Sequence, residues 1–429
     1  MSKRRSIGLL GAISIGVGGM VGGGIFAVLG EAVSLAHGAT TLAFLVAGMV
    51  TLFTSYSYAK LSVTHQNSGG TVAFVDAAFG HNLLSGSINL MLWLSYLVTI
   101  SLYAVAFASY GETFFSEKSS LLHHGLISFA ILLPALINLI SASFVSRSET
   151  LIVVIKVVLL VVIIISGASY VDVERFNPSE WESPFSIVVA GMIIFVAYEG
   201  FELIANASME IKEPQKNLPR AFYSSVIFVI FLYVAISIIT VGTVPEAQLL
   251  KAKDYALAIA AKPALGQFGF TMVALAALLA TFSAINATIY GNARLSYIIA
   301  TEGELPKVLT KSKRDIPFMG VLFTLGLSLF LANSIDLNAI AIIGSASFLL
   351  IFFVVNVSAY KLRKEINARA SITIISCILS FLALTILLVY TYEDDKKAVI
   401  IFFTFILCSY LFELIYGKIV RGHIFNRKY

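Results

Sequence analysis

Residues 16–26 of the chain read Gly-Val-Gly-Gly-Met-Val-Gly-Gly-Gly-Ile-Phe, and they determine how the first apolar segment can fold. Six of the nine residues from 16 to 24 are glycine, and each glycine inside a helix costs about 1 kcal/mol relative to alanine. The stretch therefore predicts a helix that is interrupted here. The spacing also allows a close helix–helix packing face built on Gly18 and Gly22 or on Gly19 and Gly23. Three consecutive glycines exceed what packing alone needs.

The apolar residues around this stretch indicate an all-α polytopic membrane protein. Of 429 residues, 58% are apolar and 12% are Asp, Glu, Lys or Arg, about half of the roughly 25% that are charged in a typical soluble domain. A helix that crosses a bilayer needs roughly 20 mostly apolar residues, and we expect twelve such spans and no large soluble domain. The predicted spans are residues 7–35, 39–64, 83–113, 122–142, 149–169, 184–209, 221–244, 264–299, 318–334, 338–360, 370–391 and 397–417.

The basic residues predict the orientation of these spans. With a cytoplasmic N-terminus, 21 of the 29 Lys and Arg residues fall at cytoplasmic span ends and seven at external ends. Membrane proteins keep an excess of Lys and Arg on the cytoplasmic side, so both termini are expected in the cytoplasm. The net charge of +5 is then explained by topology, and no nucleic-acid partner is expected. We expect the protein in the lipid bilayer of the cell membrane.

The remaining basic residue, Lys156, lies inside span five. It follows Glu149 by seven residues, which places it about 10 Å into the bilayer at 1.5 Å per residue. Ionisable residues within a membrane usually face a cavity and mark ion or proton pathways, and a buried lysine can lose its proton near neutral pH. The alternative is a side chain that extends to place its ammonium group at the cytoplasmic interface.

Span six contains a second irregular segment. Residues 195–202 read Phe-Val-Ala-Tyr-Glu-Gly-Phe-Glu, and two acids within a span are costly unless they face a polar cavity. The alternative is that span six ends early and these residues lie at the mouth of a cavity. Spans one and six are five apart, and interruptions at matching positions of two halves indicate an inverted-repeat transporter with its site at the bilayer midplane. The predicted parts are spans 1–5 in residues 1–170, spans 6–10 in residues 171–362, and spans 11–12 with a cytoplasmic tail in residues 363–429.

Polar side chains in two further spans are weaker candidates for a binding site. Span eight carries Ser283 and Asn286 one turn apart, although such polar stripes often only join helices. Span three offers Trp93, Tyr96 and Ser101. Packing is the commoner role for each of these three side chains.

The sequence contains no motif of a soluble enzyme. A Walker A motif, H-E-x-x-H and G-x-S-x-G are all absent, and the six histidines form no metal-ligand pattern. Cys377 and Cys408 both lie within apolar spans, where they are expected to pack rather than to form a disulfide. We therefore predict neither an enzyme nor a cofactor.

Several motifs resemble those of the amino acid–polyamine–organocation (APC) transporters. Residues 22–26, Gly-Gly-Gly-Ile-Phe, resemble the G-S-G-I/V-F signature of the first span in that family, and residues 197–202 resemble the sixth-span signature. Residues 210–220 are similar to the cytoplasmic E-x-x-x-P-x-x-x-x-P-R stretch that follows it. Residues 286–291, Asn-Ala-Thr-Ile-Tyr-Gly, and 303–306, Gly-Glu-Leu-Pro, match two more motifs. The resemblance covers nearly the whole chain, with the motifs in order.

The resemblance implies a fold and a means of coupling. The fold is the LeuT-like five-plus-five inverted repeat, with broken helices 1 and 6 and two extra helices. Lys156 matches a fifth-span lysine of sodium-independent, proton-coupled members of the family. The ammonium group of this lysine would stand where sodium-coupled relatives bind an ion. Its implied partners are the carbonyl of Gly18 and the side chain of Ser283, and its deprotonation would couple proton flux to the gate.

The resemblance also implies a site for an amino-acid substrate. The amides of Gly22, Gly23 and Gly24 would hold the substrate carboxylate, and Tyr198 and Phe201 would line the pocket or act as a gate. The substrate amine would be held by the backbone carbonyls of Met20, Val196 and Glu199. The chain departs from the signature at Gly23, where the family has serine, so only backbone amides would contact the carboxylate. If the side chain of Glu199 faces the pocket, it would favour cationic or small polar substrates.

These features together predict secondary active transport of amino acids, independent of sodium and coupled to protons, by alternating access. One alternative is an amino-acid exchanger, in which Lys156 is a fixed structural cation. Another is a membrane amino-acid sensor with a transporter fold. The sequence does not identify which amino acids are carried.

Overall fold

The computed structural model describes residues 5–67, 69–140, 142–181, 183–313 and 316–421, without the side chains of residues 142–150, 180 and 421. Within these residues the chain is helical and forms no β-strand. Some of the basic residues that predict the orientation of the spans lie outside the residues that the structure describes. These are Lys3, Arg4, Arg314, Arg427 and Lys428, and the side chains of Arg147 and Arg421.

The described residues form seventeen α-helices joined by short turns and 3-10 segments. The helices are α1 (Leu9–Met20), α2 (Gly24–Ala36), α3 (Thr40–Thr64), α4 (Thr71–Phe79), α5 (Leu83–Gly111), α6 (Ser120–Ile140), α7 (Ala142–Gly167), α8 (Pro184–Ile193), α9 (Leu203–Asn206), α10 (Pro214–Thr243), α11 (Glu246–Lys251), α12 (Ala256–Ala260), α13 (Lys262–Thr301), α14 (Phe318–Ser334), α15 (Leu337–Lys361), α16 (Ala370–Asp394) and α17 (Lys396–Tyr416).

The helices lie where the apolar windows predict them. In the described part of the chain, ten helical segments are long and apolar enough to cross a membrane. The first of them, Gly24–Thr64, contains both α2 and α3. The apolar helices α1 and α14 are shorter, with 12 and 17 residues. The prediction of an all-helical, multi-pass membrane protein is therefore confirmed.

The helices divide into a central and a peripheral group. In α5, in α15 and in the segment Pro184–Asn206, more than four fifths of the most apolar window is buried inside the protein. The most apolar windows of α6, α16 and α17, and of the Leu151–Tyr170 segment that contains most of α7, are only about a third buried or less. Their outward side chains are Leu, Ile, Val and Phe, which suit contact with lipid.

Two central segments depart from α-helix. The chain leaves α1 at Met20 and begins α2 at Gly24, so residues 21–23 lie outside both helices. After α8, a 3-10 segment runs from Ile194 to Tyr198, and the next helix, α9, begins only at Leu203. Within that second break Gly200 adopts a φ of +116°, in the region that favours glycine. Both breaks are buried.

Candidate functional site

The two breaks contact each other through their backbones. A Cβ atom placed on Gly19 would lie 2.5 Å from the carbonyl oxygen of Gly200, and one on Gly24 would lie 2.7 Å from the Cα of Ala197. A side chain fits at neither position without moving backbone. Two of the glycines in the first span therefore allow the approach of span six.

The start of α2 is an uncapped helix N-terminus beside this contact. Gly23 is the N-cap residue, and no side chain caps the helix. The first N–H groups of a helix have no partner within it and carry a partial positive charge. The ring of Tyr103 on α5 and the methyl group of Thr281 on α13 pack against Gly23. The arrangement presents backbone donors suited to an anion, covered by a tyrosine.

Tyr233 bridges the two breaks. Its hydroxyl group donates to the carbonyl oxygen of Met20 at 2.6 Å and also lies 3.1 Å from the carbonyl oxygen of Ala197. Tyr233 is fully buried on α10, and its ring lies 5.1 Å from that of Tyr198. One side chain from a third span thus holds the end of α1 against the segment that follows α8.

We expect Tyr233→Phe to lower the free energy of unfolding by about 1–3 kcal/mol, because two buried carbonyl groups lose this donor. Thermal unfolding of the purified protein in detergent measures the change. Tyr223→Phe on the same helix is the control, since Tyr223 is only partly buried. Removing its hydroxyl group should lower the free energy of unfolding by no more than about 0.5 kcal/mol. Equal destabilisation by the two substitutions would contradict the bridge.

Two buried glutamates of the second break face α5. Glu199 and Glu202 are 4% and 1% exposed. The hydroxyl of Tyr103 donates to Glu199 Oε2 at 3.3 Å, and that of Tyr96 donates to Glu202 Oε1 at 3.1 Å. The backbone N–H of Gly200 donates to Glu202 Oε2 at 2.8 Å. The carboxyl groups thus lie inside the protein, each with a tyrosine donor.

Lys156 is buried on α7. It is 1% exposed, and α7 packs against α1, α10 and α13. Gly18 of α1 contacts α7 directly, since a Cβ on Gly18 would lie 2.6 Å from Val153 Cγ2, one helical turn before Lys156. Ser283 is also buried, on α13. The residues predicted for coupling therefore lie on helices that pack together, and the lysine is enclosed by protein.

Two of the three carbonyl groups predicted to bind the substrate amine, those of Met20 and Val196, have donors within the protein. The Val196 carbonyl accepts from the backbone N–H of Glu199 at 3.2 Å, and the Met20 carbonyl accepts from Tyr233. The Val196 N–H donates to Ser345 Oγ at 3.0 Å. A carbonyl oxygen has two lone pairs, so both carbonyl groups retain capacity for a further donor.

Three other predicted site residues direct their side chains to neighbouring helices. The Tyr198 hydroxyl donates to the Phe44 carbonyl at 2.8 Å, and the Ser101 hydroxyl contacts the carbonyls of Leu97 and Ser328. The ring of Phe201 packs in an aromatic cluster. Its ring neighbours are Tyr58, Phe222 and Phe352. Their roles in the pocket or gate remain predictions.

Sequence reasoning missed Tyr103 and Tyr233. Tyr103 lies seven residues after Tyr96, two turns along the same face of α5, and both tyrosines reach the glutamates of the break. That spacing was an available signal. No such signal marks Tyr233, because it is one tyrosine in an apolar span and its hydrogen-bond partners are remote in sequence.

The segment after α10, residues 246–255, lies against the C-terminal part of α2. Lys253 Nζ lies 2.7 Å from Glu31 Oε1, and His37 Nδ1 lies 2.6 Å from Glu246 Oε1. Burial raises the pKa of Asp254 above its usual range, although the adjacent Lys253 ammonium group opposes this. The two side-chain pairs fix this segment to the half-helix that begins at the first break.

Comparisons with known proteins agree with this architecture. Residues 7–412 match the family model described as amino acid permease. An uncharacterised protein of Methanocaldococcus jannaschii is 32% identical over 100% of this chain and 99% of its own. The inner membrane transport protein YbaT of Escherichia coli is 32% identical, covering 97% of this chain and 96% of its own. The branched-chain amino acid permease BcaP of Bacillus subtilis is 25% identical, covering 85% and 82%. The chain therefore belongs to the amino acid permease family of the APC superfamily, whose members are transporters and not enzymes.

Proposed function

We propose that this protein carries amino acids across the cell membrane by sodium-independent, proton-coupled transport with alternating access. The observation that carries the proposal is the burial of Lys156 on α7, a helix that packs against α1, which itself ends within the protein. A lysine inside an apolar span costs roughly 2.5–3.5 kcal/mol on insertion scales. Such a cost is expected where the charge has a function.

The proposed architecture is a LeuT-like inverted repeat of twelve spans, with both termini in the cytoplasm. Residues 1–170 would form the first repeat, residues 171–362 the second, and residues 363–429 the two extra spans with the tail. The interruptions of spans one and six, five spans apart and in backbone contact at Gly19 and Gly200, support this division.

The proposed substrate site lies between the two breaks. The uncapped start of α2, with the amides of Gly22, Gly23 and Gly24, would bind the substrate carboxylate. The carbonyls near Met20 and residues 196–199 would bind its amine. The names of relatives such as the branched-chain amino acid permease support an amino acid as the substrate.

Coupling would act through the packing of α1 on α7. With Lys156 protonated, its ammonium group would attract the Gly18 carbonyl at the C-terminal half of α1 and the hydroxyl of Ser283 on α13. Loss of the proton would remove this attraction and free α1 to move away from α7. The protonation of one buried side chain would then bias which side of the site is open.

Uptake into proteoliposomes in sodium-free buffer tests the proposal. We expect an inward proton gradient of one pH unit to drive the accumulation of labelled L-alanine or L-leucine about tenfold for each proton that moves with a molecule. A protonophore should abolish accumulation but not counterflow. Counterflow without any accumulation in the gradient would assign the protein as an exchanger and overturn the proposal.

A further inference from the structure

The glutamates of the second break form a pair that coupling through Lys156 does not use. Glu199 and Glu202 are both buried, lie three residues apart in one short segment, and each accept a hydrogen bond from a tyrosine of α5. Two adjacent carboxylates in a dry interior repel each other strongly, and such pairs hold a proton rather than two charges. The pair therefore requires a proton or another cation in this closed arrangement.

In the described part of the chain, the side chains nearest the pair include four tyrosines. Tyr96 and Tyr103 of α5 donate to the two carboxyl groups, and Tyr233 of α10 and Tyr58 of α3 lie within electrostatic range of the pair. The facing part of span one contributes glycine backbone at residues 19–24. Within the described residues, the hydrogen bonds to the two carboxyl groups come from Tyr96, Tyr103 and the Gly200 N–H, and none comes from a Lys, Arg or His side chain. A proton is then the simplest neutralising partner.

The two glutamates are not equivalent. Glu202 accepts from the Gly200 N–H at 2.8 Å and from the Tyr96 hydroxyl at 3.1 Å, whereas among the described residues Glu199 accepts from Tyr103 alone, at 3.3 Å. Hydrogen bonds donated to a carboxylate favour its ionised form. The ionised member is thus Glu202, and the proton belongs on Glu199.

We propose that Glu199 and Glu202 form a proton-binding site in the second break, separate from Lys156, in which Glu199 carries the proton and Glu202 is its acceptor. The proton comes from water on the side to which the site opens and returns to water when the break is next hydrated. The role of this site in coupling rests on the proposed transport function, whereas the presence of the proton does not.

Tyr103 connects this proton to the proposed substrate site. Its ring packs against Gly23 and its hydroxyl group bonds to Glu199. A substrate that binds at the start of α2 must displace or rotate this ring, which breaks the bond to Glu199. Occupation of the site therefore alters the surroundings of the proton-carrying residue.

Infrared difference spectroscopy tests for the proton directly. In purified protein near neutral pH, wild type minus Glu199→Gln should show the carbonyl stretching band of a protonated carboxyl group, because glutamine replaces a neutral acid of the same shape. Glu202→Gln should keep the band but shift its frequency, since the acceptor changes from a carboxylate to an amide. Lys156→Met should leave it in place. The same carboxyl band in Glu199→Gln as in wild type would overturn the proposal.

The ratio of protons to substrate moved in proteoliposomes tests the role in coupling. We expect Glu199→Gln to lower the ratio by one, with the exposed Glu117→Gln as a matched control at the wild-type ratio. An unchanged ratio in Glu199→Gln would overturn a coupling role. If wild-type uptake does not respond to the gradient, the proposal of proton-coupled transport is wrong, and the infrared band still tests the proton-binding site. If uptake follows the gradient but the band is absent, only the proposal of the proton-binding site is wrong.

Discussion

Gly200→Ala is expected to abolish transport and to lower the free energy of unfolding by about 2–6 kcal/mol. Gly200 has a φ of +116°, which a residue with a side chain adopts only under strain. The added Cβ would also overlap the backbone of Gly19 and lie 2.7 Å from the nitrogen of Met20. These obstacles are backbone atoms held by Tyr233, so neither can yield without opening the contact between the breaks.

The measurement is thermal unfolding in detergent together with uptake in proteoliposomes. Gly326→Ala is the matched control, because Gly326 lies within α14 and a Cβ there meets no atom within 4 Å. The control should be neutral or stabilise by up to about 1 kcal/mol, as alanine favours helix. A Gly200→Ala protein that melts with the wild type and still transports would contradict the close contact.

The glycine-rich stretch shows what composition can and cannot predict. Its sequence left two interpretations open, an interrupted helix and a packing face, and the structure realises each at different residues. Residues 21–23 are not helical, whereas Gly16, Gly18 and Gly19 are part of α1 and allow side chains or backbone of other segments to pack closely against it. Local propensity predicts the break because it is a property of consecutive residues. The packing glycines depend on segments up to about 200 residues away, which no local pattern identifies.

The membrane spans were predictable for a similar reason. Length and hydropathy are local, and the bilayer imposes them on each helix separately. The hydrogen bonds of the site are not local. Tyr233 joins residues 20 and 197, and Tyr103 joins residues 23 and 199. Only the packed arrangement of α5 and α10 around the breaks brings these groups together.

Lys156→Met is expected to reduce proton-driven accumulation about tenfold at one pH unit, which is the contribution of the one proton that Lys156 would carry. Methionine is similar in length to lysine and fills apolar space without a charge. It therefore fills the same space while it mimics the deprotonated lysine, which no longer attracts Gly18 and Ser283. Uptake across an imposed gradient measures the effect, with the exposed Lys397→Met as the control.

The stability of the same variant separates coupling from a structural role. A lysine kept for its proton is retained at a cost of roughly 2.5–3.5 kcal/mol on insertion scales, so Lys156→Met should melt no lower than wild type. A fixed cation that holds α1 in place, as an exchanger would need, predicts the opposite, since removing one partner of a buried charged contact costs about 3–5 kcal/mol. A variant that loses stability and yet accumulates as much substrate as wild type in the same proton gradient would show that Lys156 is structural and that the coupling proton is bound elsewhere.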